Sequence, residues 1–260
     1  MTVETVLAPN PGIYTGPGTN TYVVANGGEV AVIDPGPVID EHLLAILAAI
    51  GDRSPVAVIA THTHSDHAPL CNPLAERLGV PVYGNRPGPQ FAPDIRMTDG
   101  DAVRVGRALI EAIHTPGHTD DHLCFRLSDT LFTGDHIMGG STVIMEDASA
   151  YLQSLYRVQD LDVRRIEPGH GQSMDDAGAV IDGYIEHRLA REREILSAIR
   201  AGAGTVSDVV DVVYAFVPGD LRPAATQQVI VQLNKLYADD EVRFSAGAVG
   251  PSTMVEVKLR

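Results

Sequence analysis

The chain of 260 residues has no tryptophan and only two cysteines, Cys71 and Cys124, which do not belong to a CxxC pair. So few cysteines exclude a disulfide scaffold and are typical of a protein in the reducing cytoplasm, which is the location we expect. Long apolar runs are also missing, since the longest uncharged one covers only residues 43–50. A bilayer-spanning helix needs about 20 apolar residues, so we expect neither a membrane span nor an export signal.

Lysine is absent from residues 1–186, which contain 10 arginines and 25 acidic residues. Residues 187–260 contain nine basic and nine acidic residues, so the first part carries the whole net charge of -15. A surface that follows nucleic-acid phosphates needs clustered lysine and arginine. The charge distribution therefore disfavours a broad nucleic-acid groove in the first part, unless bound metal ions supply positive charge.

Over the first 175 residues, short apolar runs alternate with glycine and proline. Runs rich in β-branched residues predict strands at residues 21–25, 29–33, 56–60, 80–83, 108–114, 122–127 and 130–133. Helical spacing predicts helices at residues 40–50, 68–78 and 148–158, the second of which ends at Gly79. Strands with interspersed helices indicate a layered α/β domain, which we assign to residues 1–182.

Residues 183–260 have a different pattern and form the second predicted domain. Helices are predicted at residues 187–200, 205–215 and 223–237, followed by strands at residues 241–244 and 253–259. Thr205 and Asp208 have the spacing of a capping box at the start of the middle helix. Three helices and a hairpin in this order indicate a small winged-helix domain.

Chemically active residues are concentrated in the segment Thr61-His62-Thr63-His64-Ser65-Asp66-His67, directly after the predicted strand 56–60. Three imidazoles and a carboxylate at a strand end are difficult to satisfy together unless something binds them. In an extended segment His62 and His64 point the same way, whereas Asp66 and His67 at the following turn can point to a second place. The segment therefore predicts two adjacent metal ions.

Three further candidate ligands follow apolar strands, each directly after a glycine: His118, Asp135 and His170. Glycine allows the tight turns by which a short loop brings a ligand to a fixed centre. The full set of seven residues offers five imidazoles and two carboxylates, which suit zinc or another transition metal better than calcium or magnesium. A lone Gly-His or Gly-Asp pair is usually an ordinary loop, so this prediction depends on the cluster at residues 62–67.

The other five histidines lack such support. We expect His42 and His187 on helix surfaces, and His114, His122 and His136 in structural positions or in support of the ligands.

The order of the motifs, HxHxDH followed by Gly-His, Gly-Asp and Gly-His, resembles the metallo-β-lactamase superfamily over residues 13–171. The resemblance implies an αββα sandwich with hydrolase activity at two zinc ions. It implies one ion held by His62, His64 and His118, the other held by Asp66, His67 and His170, and Asp135 as the bridge. The bridging position is occupied by the carboxylate of Asp135 rather than by a cysteine, which disfavours a lactamase role.

Other motifs extend the resemblance to nearly the whole chain, among them Asn10-Pro11-Gly12, Asp34-Pro35-Gly36 and the helix that begins at His187-Arg188. They are similar to the beta-lactamase-like protein 2 branch, which joins the hydrolase domain to a C-terminal winged helix and includes an endoribonuclease for single-stranded RNA. A histidine at position 64 disfavours flavodiiron redox chemistry. Only 34 residues separate Asp135 from His170, which leaves no room for the extra arm of other nuclease branches.

The winged helix is predicted to form a wall of the active-site cleft or an oligomer contact. Duplex DNA is disfavoured as a partner because helix 223–237 has a single cation, Lys235. Arg188, Arg191 and Arg193 are candidate phosphate contacts, but their alternation with glutamates favours an exposed, internally paired face.

We therefore expect metal-dependent hydrolysis, with a hydroxide between two zinc ions as nucleophile and Asp66 as the residue that hydrogen-bonds or deprotonates it. Single-stranded RNA is the substrate that the resemblance implies, and thioester or small-ester hydrolysis of the glyoxalase II type is the alternative. Ser141 and Thr142 are candidate hydrogen-bond donors to the substrate. A binding protein with a structural metal is a third alternative, disfavoured because structural zinc sites are usually closed sets of four ligands, often cysteines.

Overall fold

The computed structural model describes residues 1–140, 142–245 and 249–258, and its first part is built around two six-stranded sheets. The first sheet has the spatial order β1 (Thr2–Leu7), β2 (Asn20–Asn26), β3 (Glu29–Ile33), β4 (Ser54–Ile59), β5 (Val82–Gly84) and β6 (Ile95–Arg96). The second sheet has the order β12 (Met174–Asp175), β11 (Arg165–Pro168), β10 (Thr130–Gly134), β9 (Leu123–Leu127), β8 (Ala108–His114) and β7 (Ala102–Val105).

Helices cover the outer face of each sheet. The first sheet packs against α1 (Asp40–Ile50) and α2 (Cys71–Leu78). The second packs against α3 (Ala148–Gln159) and the first half of α4 (Ala177–Arg200). The layers are therefore helix, sheet, sheet and helix, which confirms the predicted αββα sandwich.

Side chains of the central strands are buried on both faces of their sheet. In β2, Tyr22 and Val24 point between the two sheets, where the Tyr22 and Phe132 ring centroids lie 5.0 Å apart. Val23 and Ala25 point the other way and pack beneath the helices. Because both faces are covered, these strands are continuously apolar in sequence and show no polar alternation.

The second part is the predicted winged helix. The second half of α4 packs with α5 (Val206–Val213), α6 (Arg222–Ala238), β13 (Val242–Phe244) and β14 (Val255–Val257) around a separate apolar core. The capping box at Thr205 and Asp208 is present, with both side chains bonded to backbone N–H groups. The last predicted strand, 253–259, is reduced to β14, and residue 259 lies outside the described residues.

Some elements differ from the sequence predictions. The helix predicted at 187–200 begins ten residues earlier, because Asp176 caps its N-terminus by accepting a hydrogen bond from the Ala179 N–H. The predicted domain boundary at 182/183 lies inside this helix and stays a prediction. Strands β1, β6, β7, β11 and β12 were not predicted, since they are short or largely exposed edge elements with little apolar signal. In the described part of the chain, the helices lack the length or the apolar character of a membrane span.

Candidate metal centre

All seven predicted ligands come together where loops follow β4, β8, β10 and β11. Two clusters adjoin, which we name by their members. The first cluster is His62, His64, His118 and Asp135, and the second cluster is Asp66, His67 and His170. Within each cluster one ligand atom per residue lies within 4.8 Å of every other. The division matches the one implied by the resemblance, while the role of these residues as ligands stays a prediction.

In the first cluster, three ring nitrogens lie at the spacing of a shared ion. His64 Nδ1 is 3.0 Å from His62 Nε2 and 3.0 Å from His118 Nε2. Nitrogens bound tetrahedrally to one zinc ion at 2.0–2.1 Å are about 3.3 Å apart. The observed spacing is close to that value.

The second cluster has the same close spacing. The Nε2 atoms of His67 and His170 are 3.2 Å apart, and Asp66 Oδ2 lies 3.2 Å from His170 Nε2. Asp66 Oδ2 and His67 Nε2 are 3.6 Å apart. One carboxylate oxygen and two imidazole nitrogens therefore face a common point.

Asp135 lies between the clusters. Its Oδ1 is 3.2 Å from His67 Nε2 and 3.3 Å from His170 Nε2, while its Oδ2 is 3.5 Å from His118 Nε2. Oδ1 is buried but accepts no hydrogen bond from any described residue. A buried carboxylate oxygen without a donor is costly unless a cation occupies the space in front of it. This arrangement fits a bridging ligand.

The outward hydrogen bonds of four histidines fix which nitrogen faces the centre. Nδ1 of His67 donates to Asp34 Oδ2, that of His118 to the Ile144 carbonyl, and that of His170 to the Gly18 carbonyl. His62 Nδ1 lies 3.0 Å from Thr61 Oγ1, which donates its own proton to Asp34 and so accepts from the ring. When these rings are neutral, each Nε2 then turns a lone pair towards the centre. Converging lone pairs and carboxylates repel one another unless a cation lies between them, so the donor set fits bound metal ions.

Electrostatics of the buried groups favour positive charge at the same place. Burial and the neighbouring imidazoles lower the pKa of His62 well below its usual value, which keeps the ring neutral and able to bind a metal. Burial also acts to lower the pKa of His67, but Asp135 and Asp34 outweigh it and raise that pKa well above its usual value. A proton or a metal ion can supply the positive charge that these carboxylates favour.

Asp34 is a supporting residue whose role the sequence analysis did not predict. It is 2% exposed and accepts hydrogen bonds from the Thr61 N–H and hydroxyl as well as from His67. The available signal was its position directly after β3, in Asp34-Pro35-Gly36. Its carboxylate holds the backbone and one ring of the HxHxDH segment together.

The histidines outside the two clusters do not all lie where the sequence analysis predicts. His42 is 1% exposed, and its ring is hydrogen-bonded to Thr21 Oγ1. Its predicted surface position is therefore wrong. The ring is buried because it packs against Gly36. His122 and His136 are completely buried behind the first cluster, in supporting positions. Burial, followed by the charges of His118 and Arg188, lowers the pKa of His136 to about 3.

A cavity of about 480 Å³ opens onto both clusters and includes His64, Asp66, His118 and Asp135 in its lining. Most of the remaining lining is apolar and comes mainly from three parts of the chain: residues 13–14, residues 138 and 142–144, and the winged helix. The winged helix contributes Val217, Leu221, Ala224 and Ala225, so it forms part of the cleft wall, one of the two roles predicted for it. Thr142 also lines the cavity, whereas Ser141 lies outside the described residues.

The three arginines at the start of the second domain occupy different environments. Arg191 pairs with Glu194, and Arg193 pairs with Glu186 on the surface. Arg188 is only 6% exposed and lines the cavity, so its expected place on an exposed, paired face is wrong. The reason is the packing of α4 against α3, which carries Tyr151 beneath the guanidinium.

A two-sheet sandwich that gathers imidazoles and carboxylates in its loops is the architecture of a class of metal-dependent hydrolases. The chain belongs to the metallo-beta-lactamase superfamily, whose family model matches residues 14–170. The model of the beta-lactamase associated winged helix domain matches residues 205–248. The protein is therefore a hydrolase of this superfamily, as predicted.

Known proteins resemble the chain over almost its whole length. A beta-lactamase-like protein 2 homolog from Caenorhabditis elegans is 34% identical over 92% of this chain and 85% of its own. An atrochrysone carboxyl ACP thioesterase from Aspergillus chevalieri is 38% identical over 93% of this chain and 83% of its own. The crystal structure of a beta-lactamase domain protein from Burkholderia ambifaria has a TM-score of 0.84 at 19% identity, covering 98% of this chain and 91% of that one.

Proposed function

We propose that this hydrolase cleaves thioesters or small esters with a mainly apolar acyl part, at a centre of two zinc ions. The observation that carries the proposal is the apolar cavity that opens onto both ligand clusters. Its walls stabilise an acyl chain by removing apolar surface from water. The thioesterase described above supports the same substrate class, because its similarity includes the winged helix that forms part of the wall.

In this proposal the seven residues keep the roles implied by the resemblance. One ion would be held by His62, His64 and His118, the other by Asp66, His67 and His170, and Asp135 would be a ligand to both. Bound there, two divalent ions would supply an activated water and positive charge beside the attacked carbonyl. Zinc is proposed because five of the seven donors are imidazoles.

Asp66 is the residue we propose to handle the proton of the attacking water. Its side chain is 24% exposed and lines the cavity. Burial acts to raise the pKa of this carboxyl, but the hydrogen bond with His170 and the charge of His67 outweigh burial and lower it. The group is therefore a carboxylate at neutral pH, able to accept a hydrogen bond or a proton.

Cleavage of single-stranded RNA is the second candidate, supported by the resemblance to the beta-lactamase-like protein 2 branch. The charges around the cavity favour it less. Arg188 is the only lysine or arginine among the described residues that line the cavity, and Arg191 and Arg193 already pair with glutamates. An RNA strand would have to bring its phosphates to a cavity whose described lining offers one cation and two carboxylates. We also propose a cytoplasmic location, supported by two buried and unpaired cysteines.

Purified, zinc-loaded protein separates the two candidates. Octanoyl and acetyl thioesters of N-acetylcysteamine would be assayed for released thiol, and a labelled single-stranded RNA oligonucleotide for cleavage. Asp135→Asn is the inactive control against contaminating enzymes, and Asp120→Asn, on the surface beside Arg86, is the matched active control. We expect thioester turnover by the wild type and Asp120→Asn only. RNA cleavage that Asp135→Asn abolishes, without thioester turnover, would replace the proposal by the second candidate.

A further inference from the structure

Arg188 is a buried cation at the edge of the candidate active site. It is 6% exposed, lies in the middle of α4 and lines the cavity together with Asp66 and Asp135. Its guanidinium carbon lies 4.9 Å from the centroid of the Tyr151 ring. Tyr151 is itself completely buried, so the guanidinium is held against a fixed surface rather than in open solvent.

Only part of the hydrogen-bonding capacity of this guanidinium is used within the protein. Nη2 donates to the Val143 carbonyl at 3.0 Å and lies 3.4 Å from Thr142 Oγ1. Nε is buried without a hydrogen-bond partner. No carboxylate of the described residues lies within ion-pair distance of Arg188. The guanidinium thus keeps hydrogen-bonding capacity and a positive charge that the described residues do not match.

Other cations of the same region have carboxylate partners. Arg191 and Arg193, three and five residues further along α4, pair with Glu194 and Glu186, and the half-buried Lys235 pairs with Glu192 and Asp239. A buried charge without a counter-ion is strongly unfavourable, more so than one on the surface. Arg188 is the most buried of these groups and the one without an anion. A ligand that enters the cavity is the remaining source of that anion.

We propose that Arg188 binds a carboxylate carried by the acyl part of the substrate, so that the enzyme acts on thioesters or esters of apolar acids that bear a second acid group. This inference rests on the proposed function, which supplies the thioester or ester bond that is cleaved. A single negative charge is favoured over a phosphate dianion, because the described lining residues include one guanidinium, no lysine and two acidic residues. The apolar walls accommodate the chain between the two acid groups.

Direct binding tests the subsite without any turnover. Calorimetry on zinc-loaded protein would compare the dicarboxylates from malonate to suberate with the monocarboxylates of equal length. The metal centre can bind one carboxylate of either kind, so a difference reports the second carboxylate. We expect one or two dicarboxylate lengths to bind about 10- to 100-fold more tightly than their monocarboxylates, the range for a hydrogen bond to a charged group. No preference at any length would overturn the inference.

Variants assign that preference to Arg188. Arg188→Met should remove the dicarboxylate preference, and Arg188→Lys, which keeps the charge but not the geometry, should retain part of it. Arg193→Met is the matched control on the exposed face of the same helix and should bind like the wild type. A preference that survives in a folded Arg188→Met protein contradicts the inference. If Arg188→Met does not fold, the inference is still tested by the dicarboxylate preference of the wild type and by its partial loss in Arg188→Lys.

Kinetics separates a failure of the subsite from a failure of the proposed function. For the best dicarboxylate length, the half-thioester of N-acetylcysteamine and its neutral methyl ester would be compared as substrates. We expect the charged substrate to have the higher kcat/KM through a lower KM, and Arg188→Met to remove that advantage. Equal turnover of both, without a dicarboxylate preference, leaves the proposed function standing and the subsite wrong. Arg188-dependent dicarboxylate binding without hydrolysis of either substrate leaves the subsite standing and the proposed function wrong.

Discussion

The Nε2 atoms of His67 and His170 lie 3.2 Å apart, although 103 positions separate the two residues in the chain. Each ring donates its Nδ1 proton away from the other, His67 to Asp34 and His170 to the Gly18 carbonyl. When both rings are neutral, two acceptor nitrogens therefore face each other beside the carboxylates of Asp66 and Asp135. The fold holds this repulsive arrangement through outer hydrogen bonds, and a metal ion would convert it into a favourable one.

The first prediction concerns metal content. We expect close to two transition-metal ions per chain after gentle purification, because the ligand atoms form two adjoining sets with a shared carboxylate. Elemental analysis measures the number and identity of the ions. Removal by a chelator should abolish hydrolysis, and added zinc should restore it. Activity that persists in metal-free protein would contradict the proposed mechanism.

A second prediction concerns Asp34, which supports the ligands without being one of them. In Asp34→Asn the amide NH2 would face either the Thr61 backbone N–H, which now bonds to Oδ1, or the Thr61 hydroxyl and His67 Nδ1–H, which both bond to Oδ2. Donors would therefore meet donors in either orientation, where a carboxylate now accepts. Metal affinity should fall by about 10- to 100-fold, the usual effect of losing such a partner, while saturating zinc restores two ions per chain. Competition with a chromophoric chelator measures the affinity.

The matched control for Asp34 is Asp94→Asn. Asp94 also accepts a backbone N–H, that of Val82, but lies away from the ligands, and asparagine keeps an acceptor oxygen. Its metal affinity should equal that of the wild type. An equal loss in both variants would show that Asp34 acts on the stability of the fold rather than on the metal centre.

The layers and the ligand set could be predicted from sequence because their signals are local. Apolar runs between glycines mark the central strands, and four ligand positions lie in the one segment 62–67. The environment of Arg188 could not be predicted in this way. Its helix shows alternating charge, and only the packing of α4 against Tyr151 distinguishes it from the neighbouring surface arginines. Asp34 was missed for a similar reason, since its three donors come from residues 27 and 33 positions away.

A third prediction concerns Gly169, which precedes the ligand His170. A Cβ at this position would lie 2.7 Å from His67 Cε1 and 2.8 Å from Asp135 Oδ1, so Gly169→Ala must displace residues of both clusters. We expect metal content below two ions per chain and a loss of hydrolysis, with the circular dichroism of the folded protein retained.

Gly178→Ala is the control for this variant. Gly178 lies in the first turn of α4, where an added Cβ meets nothing within 4 Å. Alanine there should leave metal content unchanged and stabilise the protein by about 0.4–1 kcal/mol, because it restricts the unfolded chain. Thermal unfolding measures the difference. Full metal content in Gly169→Ala would mean that the clusters tolerate a methyl group between them.

The last prediction tests the winged helix as a wall of the cavity. Leu221 lies just before α6 and lines the cavity, whereas Val212 in the same domain is 60% exposed and does not line it. Leu221→Gln replaces an apolar contact of the acyl chain by a polar one, so kcat/KM for an octanoyl thioester should fall by up to about 10-fold, the effect of one or two methylene contacts. The acetyl thioester, which has no chain to contact this wall, should be hydrolysed as before, and Val212→Gln should change neither substrate. A parallel loss on both thioesters in Leu221→Gln would place the effect in the metal centre or the fold and would remove the winged helix from substrate selection.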